Sequence, residues 1–316
     1  MHKIYDNRAV VALRAEKNKL DPFLPYHFLH EQEPALSGGI NTVNTLFLTS
    51  KECTFKCIMC DLWKNTLEEA PPPKAIVRQI DYALERLPRA DVIKLYNNGN
   101  FFDPHAIAPE IYPALISRLK NYQRVVVENH PRLCNQTCIA FSRQLQGELE
   151  VAMGLETIHP DILPRLNKQL TPEDFREATL FLRKHHIDVR AFALLNVPYL
   201  TSRQENIVWT LRTVKFAFDC GAVRCSIIPV RAGNGVMDLL WKENYYAPPS
   251  LDTLEIAFEE ALSLGQGQVF VDTWDLASFS ECPACFAARR DRLQKMNLTQ
   301  TISPKISCSC QSHEGR

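Results

Sequence analysis

The sequence has no excess of charge of either sign. Of its 316 residues, 36 are Lys or Arg and 36 are Asp or Glu, so the formal net charge is zero. This balance excludes a general electrostatic attraction to nucleic acid or to an anionic membrane, although it allows a local basic patch. Glycine is also scarce, with 11 residues, and no segment has the pattern of a Gly-rich phosphate-binding loop.

Long apolar runs are absent as well. No segment approaches the roughly 18 consecutive apolar residues of a membrane span. The first 20 residues are charged and broken up, without the apolar core of an export signal. Hydrophobic residues make up 46% of the chain and charged residues 23%, a composition that excludes a disordered protein. We therefore expect a folded cytoplasmic protein with no membrane partner.

Cysteine, in contrast, is abundant, with 11 residues. In a chain without an export signal, so many thiols indicate metal binding rather than disulfides. The odd number and the clustering along the sequence both favour sets of ligands over pairs. The cysteines are Cys53, Cys57, Cys60, Cys134, Cys138, Cys220, Cys225, Cys282, Cys285, Cys308 and Cys310.

Short apolar segments alternate with amphipathic ones, which is typical of strands and helices in turn. Helical crossovers between successive strands favour a parallel sheet, and continuously apolar strands favour one that is covered on both faces. We predict an α/β fold, a partial or full (β/α) barrel of about six to seven parallel strands, with its chemistry at their carboxyl ends. A doubly wound open sheet is the alternative. The predicted strands span residues 44–49, 92–96, 124–128, 149–156, 189–195, 223–230 and 269–274.

This alternation divides the chain into three parts. Residues 42–275 are predicted to form the barrel core. Residues 1–41 form an N-terminal extension with Pro-rich turns, and residues 276–316 form a Cys-rich C-terminal tail.

Three cysteines lie in one short segment just after the first predicted strand. Cys53, Cys57 and Cys60 have the spacing C-x3-C-x2-C, and three thiolates in one loop can hold three irons of a cubane [4Fe–4S] cluster. No fourth cysteine lies nearby in sequence, which leaves one iron free to bind a substrate or cofactor. The alternatives are ordinary buried cysteines and a zinc loop, which normally needs four ligands.

This motif, on a chain of repeating β/α units, resembles the radical S-adenosylmethionine (SAM) superfamily over about residues 42–275. The resemblance implies a [4Fe–4S] cluster on Cys53, Cys57 and Cys60 whose open iron binds SAM. It also implies that an electron donor such as flavodoxin or ferredoxin reduces the cluster. SAM is then cleaved to methionine and a 5′-deoxyadenosyl radical that abstracts hydrogen from substrate. One departure is Met59, because many members have an aromatic residue just before the third cysteine.

The next two strand ends carry segments that the resemblance assigns to SAM. Members usually have a Gly-rich turn with an acidic residue after the second strand, and here the turn reads Asn97-Asn98-Gly99-Asn100, without the acid. Asn and Gly tolerate the backbone of such a turn, so the resemblance places the SAM ammonium group there. The third strand ends at Glu128 in an ENHP segment, and the resemblance makes this carboxylate a SAM contact. An ordinary loop and a solvated acid are the alternatives.

The following strand ends supply the remaining predicted contacts. Glu156 lies in a GLET segment followed by LNK, a pattern of many family members, and its carboxylate is a candidate to bind the SAM ribose hydroxyls. Asn196 and Arg231 follow the fifth and sixth strands and are predicted to contact the SAM carboxylate or the substrate. Leu195 and Val230 are predicted to press on the adenine.

The tail carries a second set of cysteines. Cys282 and Cys285 form a C-x2-C, and Cys308 and Cys310 form a C-x-C. Four thiolates are enough for a closed zinc site or for a second [4Fe–4S] cluster, and an unliganded tail is the alternative. The basic stretch between them, residues 287–295, is predicted to be a helix with a solvated charged face.

These patterns predict a radical SAM enzyme acting on a small molecule or a modified nucleoside. Within the superfamily the chain most resembles the group containing the radical SAM subunit of archaeosine synthase and the elongator-like proteins. Two alternatives remain. One is a non-catalytic zinc- or iron-sulfur-binding scaffold, and the other is a tRNA-modifying radical SAM lyase, against which the neutral charge weighs.

Overall fold

Eight β-strands form one sheet whose spatial order follows the chain, from β1 at one edge to β8 at the other. The computed structural model describes residues 4–310, so residues 1–3 of the predicted extension and 311–316 of the predicted tail lie outside the described part. The strands are β1 (His27–Pro34), β2 (Ile40–Phe47), β3 (Val92–Tyr96), β4 (Arg124–Glu128), β5 (Glu148–Glu156), β6 (Asp188–Leu195), β7 (Arg224–Pro229) and β8 (Gln268–Val271). The α-helices are α1 (Asn7–Ala12), α2 (Pro73–Leu84), α3 (Tyr112–Leu119), α4 (Gln136–Ser142), α5 (Pro172–Lys184), α6 (Arg203–Asp219), α7 (Val236–Lys242), α8 (Leu251–Ser263) and α9 (Pro283–Thr299).

The strand order distinguishes the two predicted architectures. Each strand from β2 to β7 pairs in parallel with the next one, whereas a doubly wound sheet reverses its order at a switch point. The sheet therefore curls in one direction into a partial barrel with β1 and β8 as its edges. The predicted partial barrel and its seven parallel strands are confirmed.

Strand β1 has no counterpart among the predicted strands. It pairs antiparallel with β2, with His27 opposite Phe47, and most of its side chains are exposed or half-buried. Its sequence, HFLHEQEP, lacks the apolar run of the buried parallel strands. The position of such an edge strand is determined by its pairing with the neighbouring strand rather than by its own hydrophobic pattern.

Side chains along each strand alternate between the helix layer and the barrel interior. On β6, Leu195 points to the helices and belongs to the main hydrophobic core. Leu194 faces the other way and packs in a separate cluster with Val230 and Ile58. The side chain of Leu195 therefore does not lie on the barrel's inner face, where its predicted adenine contact would require it, and Leu194 is the side chain that shares a surface with Val230.

Charged side chains fill the interior at the amino-terminal ends of the strands. Arg190 donates to Glu150 at 2.7 Å and to Glu33 at 2.8 Å, and Lys94 donates to Glu33 at 2.6 Å. Arg224 also binds Glu150, whose carboxylate is completely buried. This network closes the amino-terminal end, so ligands are expected at the carboxyl edge, as in other parallel barrels.

Helix α9 contacts both edge strands, β1 and β8, and so covers the gap between them. The Asn297 side-chain amide exchanges two hydrogen bonds of 2.9 Å with the backbone of Val271, and Gln300 exchanges two of 2.8 Å with the backbone of Val269. These amides take the place of a further strand at the free edge of β8. Residues 283–300 of the predicted tail are thus packed against the edges of the sheet. Like the other helices within residues 4–310, α9 is not long and apolar enough to cross a membrane.

Candidate functional site

The loop after β2 carries the three cysteines of the predicted cluster motif. A backbone hydrogen bond of 2.8 Å from Leu67 to Ser50 closes the neck of this loop. Cys57 is buried, and Cys53 and Cys60 are partly buried. Burial raises the pKa of the Cys57 thiol to about 12 and also raises the pKa of Cys53 and of Cys60. Such thiols become thiolates when a metal cation binds them.

These three thiols are not gathered around a single point. Within residues 4–310, the groups of three or more ligand atoms gathered within 4.8 Å do not include Cys53, Cys57 and Cys60. Thiolates around one zinc ion lie about 3.8 Å apart, because Zn–S bonds are roughly 2.3 Å and tetrahedral. In a [4Fe–4S] cluster each thiolate binds a different iron, so the sulfurs lie farther apart. The three thiols are therefore not arranged as the ligands of a single zinc ion.

The segment after β5 holds this loop in place. The backbone amide of Ile58 donates to the carbonyl of Leu166 at 3.0 Å, and the side-chain amide of Asn167 donates to the carbonyl of Lys56 at 2.8 Å. These bonds place the next residue, Lys168, beside the loop.

His130 connects the loop to the same segment. Its ring stacks on Phe55, with centroids 3.8 Å apart and planes 13° from parallel. Burial lowers the pKa of His130 to about 3, so the ring is neutral. Nδ1 accepts from the backbone amide of Arg132 at 3.2 Å, so Nε2 carries the proton and donates to the Lys168 carbonyl at 3.1 Å. One face of the Phe55 ring is thus covered by His130.

The turn after β3 and the end of β4 form one unit. Glu128 Oε1 accepts hydrogen bonds from the backbone amides of Asn97, at 2.6 Å, and of Gly99, at 3.2 Å. Burial raises the pKa of Glu128 to about 7. Asn98, between them, has a left-handed φ of 55°, a conformation that Asn adopts readily. The resemblance predicts that both Glu128 and this turn contact SAM. In the structure, the Glu128 carboxylate holds the turn in shape.

Glu156 ends β5 in a strained conformation. Its φ is 66°, and the pairing register shifts between Gly154 and Glu156. Its carboxylate lies 2.7 Å from Lys168 Nζ, with side-chain exposures of 9% and 11%. Burial lowers the pKa of Lys168, but attraction to Glu156, Cys57 and Cys53 together outweighs it, and the pKa lies above its usual value. A Cβ at position 154 would lie 2.2 Å from Glu156 Oε1 and 2.6 Å from Lys168 Nζ, so a side chain there would displace this ion pair.

Two buried amide oxygens at this edge, Asn97 Oδ1 and Asn196 Oδ1, have no hydrogen-bond partner within residues 4–310. The nitrogens of the same amides are occupied, because Asn97 Nδ2 donates to Ser50 Oγ at 3.3 Å and Asn196 Nδ2 donates to the Ala247 carbonyl at 3.1 Å. Asn196 also has a left-handed φ, of 59°. An unpaired buried acceptor costs about 1–3 kcal/mol, so both oxygens suit a ligand that brings N–H or O–H donors.

Arg231 is directed toward the end of β8. Its Nη1 lies 2.9 Å from the Asp272 carboxylate, and its guanidinium donates to the Trp274 carbonyl and lies over the Phe279 ring. A carboxylate ligand would have to compete with Asp272 for this charge. The predicted contact of Arg231 with SAM or substrate stays a prediction.

The N-terminal segment lies against the outside of the cysteine loop. Glu52 binds both Arg14 and Lys17 at 2.7 Å, and the backbone amide of Asn18 donates to the Lys64 carbonyl at 2.9 Å. The extension therefore braces the loop that carries Cys53.

The four tail cysteines form a tighter group. The sulfurs of Cys282, Cys285, Cys308 and Cys310 all lie within 4.8 Å of one another. Two of the separations, Cys282–Cys308 and Cys285–Cys310, are 3.8 Å, which matches the roughly 3.8 Å edge of a tetrahedron around one zinc ion. The Cys285 amide and the Cys310 thiol lower the pKa of Cys282 to about 7, which favours its thiolate.

The predicted solvated face of the tail helix is wrong for two of its arginines. Arg289 donates to Glu255 at 2.7 Å and Arg292 donates to Glu259 at 2.6 Å, and both arginines are buried against α8. Arg290 on the same helix is half-buried and pairs with its neighbour Asp291 at 2.7 Å. Composition alone does not distinguish a charged face in water from one that is paired with acids of a neighbouring helix.

Comparison with known proteins supports the resemblance found in the sequence. No family model matches the chain. Archaeosine synthase subunit beta from Methanosarcina acetivorans is 25% identical over 337 aligned positions, which cover 98% of this chain and 94% of that protein.

Two solved structures share the fold at low identity. Elp3 from Methanocaldococcus infernus, with an N-terminal deletion, has a TM-score of 0.53 and 17% identity over 70% of this chain. SuiB from Streptococcus suis, bound to S-adenosylmethionine, has a TM-score of 0.52 and 14% identity over 76% of this chain. The chain spans 59% of the Elp3 structure and 50% of the SuiB structure. The resemblance to the radical SAM superfamily, and to its archaeosine synthase and elongator-like group, is confirmed.

Sequence reasoning does not assign a role to two groups at this edge. Lys168 belongs to the LNK pattern, but its burial against Glu156 depends on a fold that brings residue 168 back to the end of β5. His130 lies close to Glu128 in the chain, but its stacking on Phe55 joins two loops that are distant in sequence. Neither contact has a local sequence signal.

Proposed function

We propose that the chain is a radical SAM enzyme in which Cys53, Cys57 and Cys60 hold a [4Fe–4S] cluster. The observation that carries this proposal is the pair of buried, unpartnered oxygens of Asn97 and Asn196 at the edge that carries the three-thiol loop. SAM has an ammonium group and ribose hydroxyls, which are the donors that such oxygens lack. The SuiB neighbour, which binds SAM on the same fold, supports this choice of ligand.

The side chains of the edge have separate parts in this proposal. A cluster bound to the three cysteines would supply the electron that cleaves SAM, and a donor such as flavodoxin or ferredoxin would reduce the cluster. Asn97 Oδ1 and the Glu128-shaped turn accept from the SAM ammonium group. Glu156 accepts from the ribose hydroxyls, and Asn196 Oδ1 accepts from a further donor of the ligand.

The binding step is tested by removing each unpartnered oxygen. Asn97→Leu and Asn196→Leu keep the side-chain size and should each weaken SAM binding about tenfold or more, measured by equilibrium dialysis with labelled SAM. Asn121→Leu is a matched control on an exposed residue and should bind SAM like the wild type. Unchanged SAM affinity in both site variants would place SAM elsewhere.

We propose a modified nucleoside of tRNA as the substrate class. The support is the archaeosine synthase relative, which aligns with nearly the full length of this chain. Because that relative is a subunit, a second protein is expected to work with this chain. The test is nucleoside analysis, by mass spectrometry, of tRNA from cells that lack the gene. Loss of archaeosine, with accumulation of a precursor, is the expected result. An unchanged nucleoside profile would favour a small-molecule substrate instead.

We propose a single structural zinc ion, rather than a second iron-sulfur cluster, for the four tail cysteines. The support is their 3.8 Å sulfur separations, which are too short for thiolates on different irons. A zinc ion there ties residues 308–310 to the start of α9. It lies beyond the carboxyl end of β8, on the side of the sheet where SAM is proposed to bind.

A further inference from the structure

The side chain of Asn100 points at a cysteine of the proposed cluster. Its Nδ2 lies 3.2 Å from Cys53 Sγ, in hydrogen-bonding geometry, and the residue is buried. The sequence places Asn100 in the predicted SAM-binding turn, where related enzymes carry an acid nearby. A carboxylate there has no N–H group to donate to sulfur.

The orientation of this amide is fixed by its other end. Asn100 Oδ1 accepts a hydrogen bond of 2.7 Å from the backbone amide of His130. A backbone N–H can only donate, so the oxygen must face His130 and the NH2 group must face Cys53. The Asn100 turn also packs against the same cysteine, because a Cβ on Gly99 would lie 3.6 Å from Cys53 Cβ.

Hydrogen bonds to the sulfurs of an iron-sulfur cluster are among the factors that set its reduction potential. A donor stabilises negative charge on sulfur, and the reduced cluster carries one more negative charge than the oxidised one. The nearby Lys168 is already paired with Glu156. Asn100, in contrast, is a neutral donor whose Nδ2 is directed at Cys53 Sγ.

We propose that Asn100 is a positioning residue that raises the reduction potential of the cluster through its hydrogen bond to Cys53. This inference rests on the proposed function, because it requires a cluster on Cys53. It makes Asn100 part of the electronic control of the cluster, in addition to its place in the SAM-binding turn.

The test is a redox titration of the reconstituted, full-length protein followed by electron paramagnetic resonance. Asn100→Asp keeps the acceptor for His130 and removes the N–H donor, and Asn100→Ala removes both. In each variant we expect the ratio of reduced to oxidised cluster at a fixed potential to fall about tenfold, which corresponds to a midpoint lowered by about 59 mV for a one-electron couple.

The chain offers a matched control in Asn129. Its Nδ2 lies 3.5 Å from the sulfur of Cys134, which is not a proposed cluster ligand, and its Oδ1 accepts from the Phe102 amide at 3.3 Å. Asn129→Asp should leave the midpoint potential unchanged. An unchanged midpoint in both Asn100 variants, or an equal shift in Asn129→Asp, would overturn the inference.

Two outcomes separate this inference from the proposed function. If the wild-type protein builds no cluster, the proposed function itself fails. If it builds one but the Asn100 variants do not assemble it, the wild-type cluster is measured directly by electron–nuclear double resonance with ¹⁵N-labelled asparagine. A nitrogen coupling supports the hydrogen bond, and its absence overturns it.

Discussion

The carboxylate of Glu128 accepts a hydrogen bond of 2.6 Å from the backbone amide of Asn97. This contact joins the end of β4 to the turn after β3, and a second bond to the Gly99 amide completes the connection. The shape of the turn proposed to bind the SAM ammonium group therefore depends on a side chain from the neighbouring strand. Because two strand ends make one unit, a change at Glu128 is expected to act through the turn.

Removing the Glu128 carboxylate should weaken SAM binding. Glu128→Ala leaves two buried amides without an acceptor, at a cost of about 1–3 kcal/mol each, so we expect at least a tenfold loss of SAM affinity by equilibrium dialysis. Glu128→Gln keeps an acceptor oxygen and should retain most of the affinity. Equal affinities for Glu128→Ala and the wild type would show that the turn does not need Glu128.

The pKa of Glu128 predicts a pH dependence of stability. Burial raises this pKa from its ordinary value of 4.5 to about 7 in the native protein. Between these values the native state binds more protons than the unfolded state, so this group lowers the free energy of unfolding as the pH rises from about 4.5 to about 7. Urea unfolding at pH 5 and pH 7.5 should show a larger loss for the wild type than for Glu128→Gln. Parallel pH profiles would contradict the assignment.

The Glu156–Lys168 pair predicts a coupled effect on stability and binding. Glu156→Gln leaves the buried Lys168 cation without its partner and should lower the free energy of unfolding by about 3–5 kcal/mol. The double variant Glu156→Gln/Lys168→Met removes both charges and should recover most of that loss. SAM affinity should remain low in both, because the ribose acceptor is weakened in both. If the double variant recovers none of the stability lost in Glu156→Gln, the two residues do not interact.

The tail cysteines predict a defined metal content. Changing Cys282, Cys285, Cys308 and Cys310 together to Ser should remove one equivalent of zinc, measured by plasma mass spectrometry, and leave the iron content unchanged. Cys220→Ser, at a buried cysteine outside both groups, is the matched control and should keep the zinc. Loss of four irons instead of one zinc would identify a second cluster.

The sequence predicts the strands correctly where both faces of the sheet are buried. The parallel strands are mostly apolar, and β5 is buried along almost its entire length, so pattern and structure agree. Strand β1 escapes prediction because its half-exposed sequence carries no such run. The sequence does not show whether Leu194 or Leu195 lies on the barrel's inner face, because both are apolar and only the pleat of β6 shows which face each occupies.

Parts of the candidate site are also readable from the sequence. The cysteine spacings and the positions of Glu128, Glu156 and Asn196 after strands identify groups that the structure brings to one edge. The contacts between Asn100 and Cys53, and between Lys168 and Glu156, are not predictable, because each joins residues on different loops. Such contacts depend on the curl of the sheet, which no local pattern specifies.

The central claim is a cluster on the three cysteines of the loop after β2, and it is tested most directly by anaerobic reconstitution followed by a SAM cleavage assay. With iron, sulfide and a strong reductant, the wild-type protein should bind about four irons at this loop and absorb at about 400 nm, as iron-sulfur clusters do. It should also convert SAM to 5′-deoxyadenosine and methionine. Cys53→Ala, Cys57→Ala and Cys60→Ala should each abolish cleavage while keeping the tail zinc. A colourless protein with zinc at these cysteines, or full cleavage by all three variants, would contradict the account and favour a metal-binding scaffold.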